Sequence, residues 1–195
     1  MFNRNNFLAE SLKESADAKL KTLRECTDDI LKAADVIKAA YSKGNKVMFC
    51  GNGGSAADSQ HLATELMIRL SHDIKRPALG AIALTTDSSN LSAGGNDIGF
   101  ENVFARSVEG LGKEGDVLIA ISTSGNSPNV IKAIEAAKLK KIVTIGFLGG
   151  SGGKIKNLTD LNILIPSDNT QRIQECHITV GHIICEIVER EIFPG

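Results

Sequence analysis

The sequence predicts an α/β fold, a doubly wound five-stranded parallel sheet flanked by helices, with an N-terminal helical extension. Three observations carry that expectation. Short, continuously apolar runs alternate with longer segments of helical period, the pattern of a parallel sheet covered on both faces. Glycine- and serine-rich loops mark the junctions between them. The first 42 residues carry only helical periodicity.

Taken in order, Leu8, Leu12, Ala16, Leu20 and Leu23 recur at helical spacing, and Ile30, Leu31, Ala34, Ile37 and Ala40 repeat the pattern. These residues predict two helices with a break near Thr27-Asp28. Their apolar stripe must be covered, either by the sheet as an extra layer or by another subunit. Strands are expected at 46–50, 79–84, 116–121, 142–147 and 161–165. Helices are expected at 55–70, 101–109, 128–140 and 171–192, with a short helical piece in the polar loop before residue 101. No repeat, linker or low-complexity tract interrupts the 195 residues. One domain is expected, a lead-in over 1–42 followed by an α/β core over 43–195.

Composition narrows the function classes. A net charge of −1 gives no electrostatic reason to bind nucleic acid or an anionic membrane. With no Trp and one Tyr there is no aromatic platform for bases. No apolar run approaches the roughly 20 residues of a membrane span, and residues 1–7 lack a signal-peptide pattern. Cys26, Cys50, Cys176 and Cys185 form no C-x-x-C pair and are expected to be reduced, mostly buried thiols of a cytoplasmic protein.

Two strand-to-helix loops could hold a ligand, since open α/β sheets bind at the carboxyl ends of their strands. Ser122-Thr123-Ser124-Gly125-Asn126-Ser127 carries four hydroxyl side chains in six residues. Ser127 is placed to cap the next helix and Pro128 to begin it. A helix N-terminus ringed by hydroxyls suits a phosphate without a Lys or Arg. The second loop, Gly51-Asn52-Gly53-Gly54-Ser55, lets a ligand approach the backbone, with Ser55 as a possible cap. It departs from G-x-G-x-x-G, which disfavours a dinucleotide. Residues 149–154 resemble a P-loop only superficially: Lys154 is followed by Ile155, and a flexible turn is expected there.

His61 and Glu65 stand one turn apart on the helix that leaves the glycine loop, between Gln60 and Arg69. The last helix carries Gln174, His177 and His182. Gln174 and His182 lie about two turns apart and offset by roughly 80°, so both can face one cleft. Two His and a carboxylate suit a divalent metal such as zinc, although an exposed i,i+4 pair and a core His account for the same spacing.

These motifs, with Gly95-Asn96-Asp97 and Arg172-Ile173-Gln174-Glu175, resemble the phosphoheptose isomerases of the sugar isomerase (SIS) domain family along nearly the whole chain. The resemblance implies interconversion of D-sedoheptulose 7-phosphate and D-glycero-D-manno-heptose 7-phosphate, feeding lipopolysaccharide or other surface-heptose synthesis. It implies that Ser122, Thr123, Ser124 and Ser127 hold phosphate, and that Asn52, Gly53, Gly54, Asn96 and Asp97 contact the sugar. It implies that His61, Glu65, Gln174 and His182 bind one zinc ion per subunit, with Glu65 and His182 also the acid–base pair and Glu65 and Gln174 touching substrate. It further implies a homotetramer with active sites between subunits. The chain departs from some members at Gln171, where those carry Asp; Gln171 and Asn169 are both candidates for that contact.

Two rival readings are a non-catalytic SIS adaptor of replication initiation and an isomerase of another sugar phosphate. The adaptors lack the catalytic pair, which Glu65 and His182 supply here. Isomerases of arabinose 5-phosphate usually carry an added regulatory domain, for which 195 residues leave no room.

Overall fold

The structure is a computed structural model and describes residues 2–194. Five parallel strands form the sheet: β1 (Val47–Cys50), β2 (Ala81–Ala83), β3 (Val117–Ser122), β4 (Val143–Gly149) and β5 (Leu161–Ile165), in the spatial order β2-β1-β3-β4-β5. Every residue of β1 and β3 is buried, because helices cover both faces. The doubly wound five-stranded sheet is as the sequence predicts.

Alternation along the strands builds two cores. Val47, Phe49, Ile119, Ile121 and Phe147 face α1 (Arg4–Ser42), α2 (Gly54–Met67) and α6 (Thr170–Ile192). Met48, Cys50, Leu118, Ala120 and Leu148 face α4 (Val103–Leu111) and α5 (Pro128–Leu139). The remaining helix, α3 (Ser88–Asp97), buries none of its residues. Asp116, fully buried, ties β3 to β1 by accepting from Lys46 N at 3.0 Å and Lys46 Nζ at 2.5 Å.

The expected break near Thr27 is absent: α1 is one helix of 39 residues. Neither Gly nor Pro interrupts it, and Thr27 turns its hydroxyl back onto the Leu23 carbonyl within the helix. The two stripes of α1 have different fates. Ile30, Ala34, Ile37 and Ala40 are buried, so this half is a layer on the sheet. Leu8, Leu12, Leu20 and Leu23 are all more than half exposed.

Candidate active site

Strand order reverses direction between β1 and β3, which makes the gap at their carboxyl ends the switch point of the sheet. The glycine loop leaves β1 there and the serine loop leaves β3. Gly53 holds φ at +55°, a region that favours glycine. Asn52 and Asn129 exchange amide hydrogen bonds, Asn52 Nδ2 donating at 2.9 Å and Asn129 Nδ2 at 2.8 Å. Asn129 is buried in the first turn of α5, so this pair fixes the spacing of the two loops.

The serine loop turns at Gly125, with φ at +63°. Ser127 takes the cap position by backbone geometry, but its hydroxyl meets Ser122 Oγ at 3.1 Å instead of capping. Ser127 thus gives α5 no side-chain cap, but Pro128 has no N–H and Val130 N donates to Asn129 Oδ1 at 3.0 Å, so an anion here meets the Asn129 N–H, the helix dipole and the surrounding hydroxyls. Ser55 does not cap α2 either. The helix starts one residue earlier, at Gly54, and Ser55 is buried inside its first turn.

Residues 149–154 are a bonded brace, not a flexible turn. Ile155 N donates to Gly125 O at 3.0 Å, and Lys154 N to Asn126 Oδ1 at 3.1 Å. A Cβ on Gly125 would drive into the Gly152 carbonyl, and one on Gly153 would come within 2.6 Å of Gly125 O. The glycines of this stretch let it press against the back of the serine loop.

α2 and α6 lie side by side and run in the same direction, as contacts at three successive levels show. Gln174 lies against Gly54, where a Cβ would stand 2.6 Å from Gln174 Nε2. Next, Gly181 meets Leu62, and His182 meets His61 with Nε2 to Nε2 at 2.7 Å. Further on, Glu189 accepts from Ser71 N at 2.9 Å just beyond α2. Glu65 Oε1 stands 3.1 Å from His61 Nε2. Three ligand atoms, from His61, Glu65 and His182, thus lie within 4.8 Å of one another. Zinc binds imidazole nitrogen at about 2.0–2.1 Å, so the two rings must part slightly to admit an ion. The donor set itself, two imidazoles and a carboxylate, fits a divalent metal.

On the same helix, burial raises the Asp58 carboxyl to about 6, with His61 opposing the shift. Burial pushes Cys50 and Cys185 up to about 12, so both thiols stay protonated and unreactive at neutral pH. All four cysteines are free and buried, as expected.

The structure does not gather every expected residue. Gln174 stands eight residues, about 12 Å of helix, before His182, and its amide rests at the glycine loop. Asn96 and Asp97 hydrogen-bond each other on exposed α3. Asn169 caps α6 by accepting from Gln171 N at 3.0 Å. Asn129 and Gly181 escaped the sequence reading, and Gly152 and Gly153 entered it only as part of an expected flexible turn. Gly181 alone gave a signal, as an isolated glycine inside a helical pattern.

The profile of the SIS domain family matches residues 12–149, a span that holds the switch point and both loops. Phosphoheptose isomerases of Pelodictyon phaeoclathratiforme and Clostridium acetobutylicum are each 50% identical to the chain. The first alignment covers 93% of this chain and 86% of the relative, and the second covers 96% of both. The solved structure of a phosphoheptose isomerase from Francisella tularensis superposes with a TM-score of 0.93 at 35% identity, over 97% of this chain and 100% of that one. That from Neisseria gonorrhoeae gives 0.89 at 39%, over 95% and 98%. The chain belongs to the SIS domain family and, within it, to the phosphoheptose isomerases.

Proposed function

We propose that this isomerase interconverts D-sedoheptulose 7-phosphate and D-glycero-D-manno-heptose 7-phosphate through an enediol, at a site formed by the serine loop, the glycine loop and the α2–α6 triad. The observation that carries the reading is the convergence of His61, Glu65 and His182 from two helices onto one point. A phosphate held by Ser122, Thr123, Ser124 and Ser127 takes their hydroxyls and sits at the positive end of the α5 dipole. Asn52, Gly53 and Gly54 line the adjoining loop, and Asn96 and Asp97 complete the sugar contacts.

In the ketose-to-aldose direction a proton leaves C1 and a proton is delivered to the C2 oxygen, giving the enediol. The O1 proton then departs as C2 is protonated. One base and one acid suffice, and Glu65 and His182 share these roles. Glu65 is mostly buried, which shields the transferred proton from solvent. His61, Glu65 and His182 would hold zinc, one ion per subunit, and Gln174, whose amide rests at the glycine loop, would have to turn toward the triad to serve as an exchangeable fourth ligand. When bound, the ion would polarise a substrate oxygen and stabilise developing negative charge. Three ligands with a fourth position that can open is the catalytic pattern of zinc sites.

No helix among the described residues is long and apolar enough to cross a membrane. We read the chain as one SIS domain of a cytoplasmic enzyme that supplies heptose for lipopolysaccharide or another surface polysaccharide. The bare Leu8, Leu12, Leu20 and Leu23 face of α1 and the groove of about 210 Å³ lined by Leu23, Leu31 and Ile183 between α1 and α6 support association between subunits, which we read as a homotetramer with active sites between subunits.

The test is turnover of sedoheptulose 7-phosphate by the purified protein, with and without chelator, beside the Glu65→Gln variant. The parent should convert the ketose, lose activity to chelator and regain it with zinc. Glu65→Gln should fold normally and be inactive; near-normal turnover would refute the assignment.

A further inference from the structure

α2 ends at Met67, which leaves the carbonyls of its last turn without helical partners. One of these belongs to Glu65. Arg76 reaches back from the returning chain, and its Nη2 donates to Glu65 O at 2.9 Å. The same guanidinium donates through Nε to Glu189 Oε1 at 2.7 Å and through Nη1 to Pro77 O at 3.0 Å. The second Glu189 oxygen accepts from Ser71 N at 2.9 Å. Both charged side chains are about 1% exposed. Burial alone would raise the Glu189 carboxyl, but the bonds from Ser71 and Arg76 outweigh it and hold the group low.

A buried ion pair is expensive to desolvate and is weak evidence for stability. Its position is more informative. Glu189 lies seven residues after His182, two turns along the same face of α6. Arg76 therefore joins the helix that carries His182 to the peptide group that carries Glu65. A cation at a helix C-terminus is also favoured by the helix dipole. The planar fork allows one side chain to serve Glu65 and Glu189 in a fixed relation.

We propose that Arg76 and Glu189 are positioning residues for the isomerisation, clamping α2 to α6 so that Glu65 keeps its place beside His61 and His182. This rests on Glu65 acting as ligand and acid–base group. The phosphate seat belongs to β3 and α5, in the other half of the site, so the clamp acts on turnover and metal affinity rather than on substrate capture.

The test uses the full-length protein, with Arg76→Lys and the paired Arg76→Met/Glu189→Met exchange. The latter removes both charges together, which proteins often tolerate. Zinc affinity is titrated without substrate, and KM and kcat are measured separately. Partners that orient metal ligands typically contribute about 10- to 100-fold. Zinc affinity and kcat should fall by that factor, with KM within about threefold of the parent. A folded variant with parental kcat and zinc affinity would overturn the clamp. A crystal structure of the zinc-loaded parent supplies a reading independent of folding: Arg76 should still hold Glu65 O, and loss of that bond on loading would also overturn it. Glu65→Gln, run in parallel, separates the two levels. If it stays active, the role of Glu65 fails; if it is inactive while the clamp variants match the parent, only the clamp fails.

Discussion

Gly181→Ala should cost far more in turnover than in stability, and the packing of α2 on α6 gives the magnitude. An added Cβ would stand 2.5 Å from both methyl carbons of Leu62 and 3.1 Å from its Cγ. Carbon atoms pack best at about 3.5–4.0 Å, so the helices must part by about 1 Å or Leu62 must leave its rotamer. Leu62 is 1% exposed, and the void it lines with Gly181 measures only about 10 Å³, too small for the side chain to swing clear. Overpacking of this kind costs about 1–3 kcal/mol. Replacing a helical glycine by alanine returns about 1 kcal/mol. The net destabilisation is about 0–2 kcal/mol, or at most about 8 °C in Tm for a chain of this size. The two residues in collision are the immediate neighbours of His61 and His182. A 1 Å misplacement of reacting groups can cost about 100-fold in rate. Turnover of sedoheptulose 7-phosphate should therefore fall by about that factor in a protein that still melts cooperatively. Adding Leu62→Ala should restore much of kcat while lowering Tm further, because the cavity it opens accepts the new methyl group. A Gly181→Ala enzyme with kcat within about threefold of the parent would refute the claim that this contact sets the His61–His182 geometry.

Two further outcomes concern the phosphate seat and the core beneath it. Gly125→Ala forces a Cβ into the left-handed region and against the Gly152 carbonyl; KM measured by initial rates should rise about tenfold or more, with kcat changed less. Burial lowers the His177 imidazole to about 4 from its ordinary 6.5, against a weaker opposing bond to Leu148 O, so the folded state holds it neutral. Its contribution is therefore intact above pH 6.5 and is lost as pH falls toward 4, by up to about 3 kcal/mol. Urea titrations between pH 7 and 4 should show a shallower decline for His177→Asn than for the parent.

How much of this was legible in the sequence depended on the range of the interaction that decides each feature. Strands β1, β3 and β4 are continuous apolar runs between turn residues, and such runs declare themselves locally. His61 and Glu65 are one helical turn apart, so their shared face followed from the period alone. The unbroken α1 was missed because Thr27 and Asp28 look like a cap, while the bond from Thr27 to Leu23 O that absorbs the hydroxyl belongs to the helix once formed. Ser127 stands at the cap of α5, as the sequence predicts, but its hydroxyl finds Ser122 across the loop instead of the helix N–H groups. The brace at Gly152 and Gly153 and the Asn52–Asn129 pair are invisible to any local rule, and the isolated Gly181 signals a close contact without naming Leu62 as its partner. Each joins segments far apart in the chain, and each depends on the register that the sheet imposes.

The two cores of the sheet also divide the labour of the proposed site. The triad is carried by α2 and α6, which pack on one face, while the phosphate seat opens at α5, which packs on the other. A ligand that uses both must cross the carboxyl edge of the sheet at the switch point. The span of that crossing is set by the Asn52–Asn129 amide pair, because it ties the glycine loop to the first turn of α5. Such a layout favours a sugar whose phosphate and reacting carbons sit at opposite ends of the chain. Sedoheptulose 7-phosphate meets that requirement: its carbonyl is at C2 and its phosphate on C7. Chain length thereby enters specificity through the two anchors, beside the contacts that Asn52, Asn96 and Asp97 would make to individual hydroxyls.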